Sequence, residues 1–356
     1  MSFEFLSLNE IEKWNRYFYQ LPSNQQDIYF SPEYYKIYEQ YGDGEAFCFV
    51  FKKGTDIAIY PFLKNPIDKD VFKLDKQYFD IQGAYGYNGV ISSNYEAGFI
   101  DEFYNSFNSF CADERIIAEF TRFHPIIGNH SFSEKHLETF INRKTVVLDV
   151  NRDIEQIWKD SYSSKNRNML RKAEKNGVLV LTSDDIDDYI AFYDLYLKTM
   201  KEVGSLEYYY FSEDYVKNFK SFLAGKQKLI LAKYEDKIIA GMLLMIENQY
   251  AHYHLSCRDL NYSSLAGNNH ILDKAIRIAI DSGAKYFHFG GGNNNDEKDP
   301  LFKFKANFSK ETGDFYIGKK VHNNEVYSQV CNIWERKYPK LANKYTNFLL
   351  KYKEVD

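Results

Sequence analysis

The stretch QKLILAKYEDKIIAGMLLMIENQYAHYHLSC, from Gln227 to Cys257, constrains the fold more than any other. Three β-rich runs are separated by Glu235-Asp236 and Asn248-Gln249, which predicts an antiparallel meander. The chain continues as GNNHILDKAIRIAIDSGAKYFHFGGG. There Ile271, Leu272, Ala275, Ile276, Ile278 and Ala279 form a helical stripe closed by Gly283, followed by a strand from Tyr286 to Phe289. The unit reads β-β-β-α-β. A weaker copy precedes it: AFCFVFKKGTDIAIYPFLK is a hairpin through Lys53-Gly54-Thr55, followed by a tyrosine and glycine loop, a helix near Glu96 to Ala112, and the strand RIIAEFTRF. Two short helices precede each copy. Ser7 and Glu10 form a capping box, Ser31-Pro32 is a cap with proline at the first helical position, and the corresponding helices of the second copy start near Asp184 and Ser212. The repetition predicts a duplication at domain scale, divided as 1–150 and 151–325 with a C-terminal helix over 326–356, and the crevice between the copies as the expected site.

Bulk properties narrow the function classes. A chain of 356 residues is long enough for two core-forming units. A net charge of -5 excludes the global electrostatic footprint of a nucleic-acid binder, so any polyanion must be met locally. Cys48, Cys111, Cys257 and Cys331 are far apart, without metal-ligand spacing, which favours buried thiols in a reducing compartment. The start, MSFEFLSLNE, lacks the pattern of a signal peptide and no apolar run approaches the ~20 residues of a span, so the expected location is cytoplasmic, with peripheral membrane contact left open. The 31 tyrosines and 29 phenylalanines suit either ring-lined grooves or an aromatic core.

Three segments carry candidate chemistry. In HFGGGNNNDEKDPLFKFKANFS, Gly290, Gly291 and Gly292 allow close backbone approach to a ligand, and successive amides there suit an anion. Asp296, Glu297 and Asp299 either orient an amine or are simply solvated. Between the copies, Lys165, Arg167, Arg171, Lys172 and Lys175 make a cationic stripe behind Ser161, Ser163 and Ser164, which is either a solvated helix face or a phosphate contact. In YAHYHLSC the strand period puts His252 and His254 on one face with Tyr250 and Ser256, and His288 alternates similarly on the next strand. These imidazoles read as core residues, as a base or acceptor contact, or as a metal pair lacking a third ligand.

Taken together, AYGYNG (84–89), EFTRFHPIIGN (119–129), SSKNRNMLRKAEKNGV (163–178) and the series HYHLS, GNNHILDKAI, FHFGGG, DPLFKFKANF resemble the FemABX peptidyltransferases and their GNAT-like relatives in envelope and polysaccharide biosynthesis. The resemblance implies an α/β (α+β) fold of two tandem GNAT-like lobes, each a mixed, mostly antiparallel sheet flanked by helices. It implies an N-acyltransferase acting on an amine of a nucleotide- or lipid-linked cell-envelope saccharide or peptide precursor, with no permanently bound cofactor. Phe304-Lys305 resembles the family's Phe-Lys pair, whose lysine lies near donor phosphates or the developing oxyanion; His254 and His288 are the other catalytic candidates. On the donor side the resemblance implies Gly267, Asn268, Asn269 and Gly290 to Gly292, with Lys165, Arg167 and Arg171. On the acceptor side it implies Tyr85, Tyr87, Asn88, Arg122 and His124, and no metal. SLAGNNHIL offers Gly267 at a helix start without a full glycine run, and no long helical insertion of the tRNA-using glycine-bridge enzymes is present. Acyl-CoA is therefore the preferred donor and aminoacyl-tRNA the alternative; a non-catalytic saccharide- or peptidoglycan-fragment-binding protein is the rival from another class.

Overall fold

The computed structural model describes Ser2 to Val355. The first half contains β1 (Ser2–Ser7), α1 (Ile11–Gln20), α2 (Pro32–Tyr41), β2 (Glu45–Lys53), β3 (Asp56–Pro66), β4 (Phe79–Gln82), β5 (Ile91–Ser92), α3 (Ala97–Asp113), β6 (Ile116–Arg122) and β7 (Glu138–Asp149). Then come α4 (Ile154–Asp160), α5 (Ser164–Lys175), β8 (Leu179–Ser183), α6 (Ile186–Glu202), α7 (Glu213–Phe222), β9 (Gln227–Tyr234), β10 (Lys237–Glu247) and β11 (Tyr250–Arg258). The chain ends with α8 (Gly267–Asp281), β12 (Tyr286–Gly290), α9 (Pro300–Lys305), β13 (Thr312–Val321), α10 (Asn324–Lys337) and α11 (Pro339–Lys344).

Two compact units result: Met1–Gln25, Tyr29–Asn142 and Phe315–Asp356 form the first, Gln26–Ile28 and Arg143–Asp314 the second. Each contains the same succession. In the first unit it is β1-α1-α2-β2-β3-β4-α3-β6, with β5 a short addition to β3; in the second it is β8-α6-α7-β9-β10-β11-α8-β12. Strand order repeats as well, antiparallel from β1 to β4 and from β8 to β11, then parallel at β4–β6 and β11–β12. Each sheet is completed by an antiparallel strand from outside its own succession: β13 pairs with β6, and β7 pairs with β12. That exchange follows from long-range pairing. It moves the boundaries of the compact units to 142 and 314, away from the divisions the repeat alone suggests.

Local signals explain most elements. Glu235 and Asp236 both have positive φ, +47° and +65°, the conformation that a two-residue hairpin between β9 and β10 demands. Ser31 Oγ accepts from Tyr34 N–H and Pro32 opens α2. Ser7 instead caps a 3-10 turn, Leu8–Glu10, so the expected capping box sits one turn ahead of α1. The expected single C-terminal helix is α10 and α11, broken where Pro339 removes an amide donor.

In the first unit α3 lays Phe103, Phe107 and Phe110 on Phe49, Phe51 and Phe62, while Trp334 of α10 packs on Ile117 and Ala118. In the second, Ile271, Leu272, Ala275 and Ile276 of α8 cover Ile230, Met242, Leu244 and Phe287. Truncating such a buried phenylalanine to alanine costs about 3–5 kcal/mol. Several tyrosines are core residues whose hydroxyls find partners: Tyr35 donates to Pro61 O at 2.9 Å, Tyr60 to Glu119 at 2.8 Å and Tyr104 to Ser133 at 2.6 Å. All four cysteines are buried free thiols. No helix among the described residues is long and apolar enough to cross a membrane.

Candidate active site

In the second unit the parallel pairing of β11 and β12 runs from Tyr250–Tyr286 to His252–His288 and stops. Both strands bulge just beyond. β11 leaves His254 unpaired against β10, and β12 leaves Phe289 unpaired against β7. The two strands therefore part after His252 and His288, with Tyr253 on one side of the opening and Gly290 on the other.

Lys305, the last residue of α9, fills that opening. It is only 5% exposed, its Nζ donates to Gly291 O at 2.7 Å, and the same Nζ lies 5.1 Å from the Tyr253 ring centre. Gly290 has φ +77°, and a Cβ there would lie 3.4 Å from Nζ. Burial lowers the Lys305 ammonium to about 7; Asp299 opposes that shift and Arg143 adds to it. A lysine so placed exists in both protonation states near neutral pH.

The glycine loop is tied down at several points. Arg143 donates to Gly292 O at 3.1 Å, Lys144 pairs with Glu297 at 2.9 Å, and Asp299 caps α9 by accepting from Leu301 and Phe302 N–H. Burial works against the Asp299 carboxylate, yet its hydrogen bonds from Phe302, Asn293 and Leu301 outweigh burial and hold it below its ordinary pKa. Gly292 is required because a Cβ would lie 2.6 Å from Asp299 Oδ1. Asp299 and Glu297 thus hold the loop together, while Asp296 accepts from Lys298 N–H.

The histidines separate. His252 and Asp27 are both buried and meet at 2.6 Å, and the His252 ring is 5.6 Å from that of His288. His254 bonds to Tyr215 OH at 2.8 Å and stacks on Phe219. Burial, with the His252 charge next, drives the His254 pKa down to about 3, so its imidazole is neutral at physiological pH. The bulge at His254 also upsets the expected alternation, because Tyr253 OH and Ser256 Oγ hydrogen-bond to each other.

Donor-side candidates cluster at the starts of two helices. Gly267 opens α8 against β10, where a Cβ would lie 3.1 Å from Ile239, and no side chain caps that helix. Asn269 donates to Asn166 of α5 at 2.8 Å. Asn268, Phe304, Tyr253 and Ser256 border a void of about 10 Å³, room for one water at most. Arg167 folds back to donate to the carbonyls of Trp158 and Lys159 at the end of α4 and to Tyr162 O, so its guanidinium closes a helix end. Arg171 is exposed, over the Trp158 ring at 5.9 Å, and Lys165 is exposed on α5.

The acceptor-side candidates come together in the first unit. Arg122 donates to Gly83 O and Ala84 O, and its backbone exchanges hydrogen bonds with Asn88. Tyr34 OH donates to Tyr85 O at 2.6 Å. Tyr87 is buried against Tyr29, His124 and Phe315, and His124 Nδ1 accepts from Ile126 and Ile127 N–H. Tyr85 is half-buried. Sequence reasoning missed Asp27, Arg143, Tyr215 and Tyr253, each defined by partners far away in the chain.

Residues 161–303 match the family model described as an acetyltransferase (GNAT) domain. The matched residues, which lie within the second unit, form a GNAT-type acyltransferase domain. The chain shares its fold with FemX, at 14% identity and TM-score 0.70, over 92% of this chain and 99% of that one. It also resembles a tandem GNAT protein from the clavulanic acid biosynthesis pathway, at 10% identity, TM-score 0.51 and 89% and 98% coverage. A third likeness is the L-PGS of Bacillus licheniformis, at 11% identity, TM-score 0.54 and 85% and 95% coverage. No curated protein matches the chain in sequence. Within the GNAT domain, the opening between β11 and β12 and the uncapped start of α8 are the features described above.

Proposed function

We propose that the chain transfers an acyl or aminoacyl group from an activated donor, acyl-CoA in the first instance, to an amine on a nucleotide- or lipid-linked envelope precursor. The observation that carries this reading is the buried Lys305 ammonium between Tyr253 and the Gly290–Gly291 backbone. Amine attack on a thioester forms a C–N bond and a tetrahedral oxyanion; collapse breaks the C–S bond and expels thiolate, and the amine proton is released. A Lys305 N–H directed at that oxyanion gains most as the charge develops, because the lysine stands in low-dielectric surroundings. Near neutral pH the same residue exchanges protons readily. The uncapped amides of the 15-residue α8 suit donor phosphates. Direct transfer is favoured over a covalent enzyme intermediate, since burial raises the pKa of all four thiols. The loop of Tyr85, Tyr87 and Asn88, with Arg122 and His124, is the proposed acceptor contact.

The resemblance of Phe304-Lys305 and the motifs around it to the FemABX peptidyltransferases supports aminoacyl-tRNA as a second donor, in which an ester C–O bond breaks instead. The test is turnover by the purified chain with a panel of acyl-CoA thioesters and amino-sugar nucleotides, read as thiol release, beside aminoacyl-tRNA with the same acceptors. Thiol release dependent on both substrates supports the thioester reading. Transfer from tRNA alone supports the second, and acceptor binding without turnover from either donor contradicts both.

A further inference from the structure

The segment from Ile333 to Val355 inverts the charge of the chain. It holds six cations and two carboxylates in a protein of net charge -5. The carboxylate of Glu335 pairs with Lys351 at 2.6 Å, while Lys353 pairs with Asp80, also at 2.6 Å. Arg336, Lys337, Lys340 and Lys344 stay exposed along the end of α10 and α11, and among the described residues no carboxylate forms an ion pair with any of them. Phe348 follows, 58% exposed, its ring edge-on to Tyr345 at 5.1 Å. The segment is firmly seated, because Trp334, Leu349 and Tyr352 are buried in the first unit, Trp334 Nε1 donates to Glu354 O, and Tyr352 OH donates to Asp80.

We infer that this cationic ridge with its exposed phenylalanine docks the protein on an anionic lipid bilayer. Exposed lysines whose ammonium groups sit over tyrosine rings match the headgroup region, and a projecting phenyl ring suits the layer beneath. Lys337 lies over the Tyr338 ring at 5.2 Å and Lys344 over the Tyr345 ring at 4.7 Å. Those two ring faces are already covered by ammonium groups, which leaves Phe348 as the one projecting ring of this ridge, and a single ring offers no platform for successive bases. The chemistry therefore favours lipid over single-stranded RNA. The inference does not depend on the transfer reaction, and its readout is binding.

Co-sedimentation of the full chain with phosphatidylcholine vesicles, with and without phosphatidylglycerol, tests it. The expected result is binding only when phosphatidylglycerol is present, weakening with added salt. Lys340→Gln/Lys344→Gln should lose roughly fivefold in affinity per charge removed. Phe348→Ser should weaken the binding that persists at higher salt. Failure to bind phosphatidylglycerol vesicles, equal binding to phosphatidylcholine, or a double variant that binds as the parent does would overturn the inference. So would binding of bulk tRNA that depends on the same lysines and exceeds binding to lipid.

Discussion

Lys305 Nζ donates to the carbonyl oxygen of Gly291 at 2.7 Å, which ties the end of α9 to the turn that follows β12. The bond holds the ammonium where two parallel strands part. It also makes the glycine turn and the lysine interdependent, so a change in either should be felt by the other.

Burial of Lys305 gives stability a pH dependence of known sign. From about pH 7 to 10.5 the unfolded chain holds a proton here that the folded chain has released, so stability rises with pH across that window. Lys305→Met removes this dependence. The variant should be more stable than the parent below pH 7, by an amount on the order of a few kcal/mol, with the gap closing toward pH 10. Urea unfolding at pH 6 and pH 9 measures it, and an equal difference at both values would count against a lowered lysine pKa.

His254 should dominate part of the acid limb. Its folded pKa of about 3 lies below the ordinary 6.5, so the stability gained from keeping it neutral is present above pH 6.5 and drains as pH falls toward 3. The slope from this one group is about 1.4 kcal/mol per pH unit. His254→Gln should flatten the fall in unfolding free energy between pH 6 and pH 4. An unchanged slope would assign the acid limb to other groups.

How much of this was legible beforehand depends on the range of each interaction. The turn at Glu235-Asp236, the Ser31-Pro32 cap and the stripe of α8 are written within a few residues, and they recur in order, so the duplicated fold could be read. Lys305 was reachable through its neighbours in the chain. Asp27 was not, because its partner His252 is 225 residues away and no local pattern marks it. Arg143 is likewise defined by a carbonyl 149 residues on, at Gly292. The bulge at His254 escaped because strand alternation presumes an unbroken ladder, and a bulge shifts every side chain beyond it.

The Asp27–His252 pair predicts a steep cost for losing one partner. Asp27→Ala leaves a buried imidazole without its carboxylate and should destabilise by about 2–4 kcal/mol. Adding His252→Ala should cost much less than the sum of the single losses. Strict additivity in a double-mutant cycle would mean that the two side chains do not act as a pair.

Glycine at 292 should matter more than glycine at 177. Both substitutions are simple, but an alanine Cβ at Gly292 meets Asp299 at 2.6 Å, whereas at Gly177 it meets nothing within 4 Å and only the positive φ resists it. Gly177→Ala is expected to cost about 1 kcal/mol and leave turnover intact. Gly292→Ala should cost more and reduce turnover, as the cap of α9 shifts and carries Lys305 with it. Thermal melts and initial rates of the two variants side by side check this.

The central claim is that the buried ammonium of Lys305 stabilises charge developed during acyl transfer. Its most direct test is the single-turnover rate of Lys305→Ala and Lys305→Arg with a saturating donor, alongside donor and acceptor dissociation constants for each variant. The account predicts a rate lowered by about a hundredfold or more in the alanine variant, with both dissociation constants within a few fold of the parent. A rate that stays near the parental value, or a loss explained wholly by weaker binding, would contradict it.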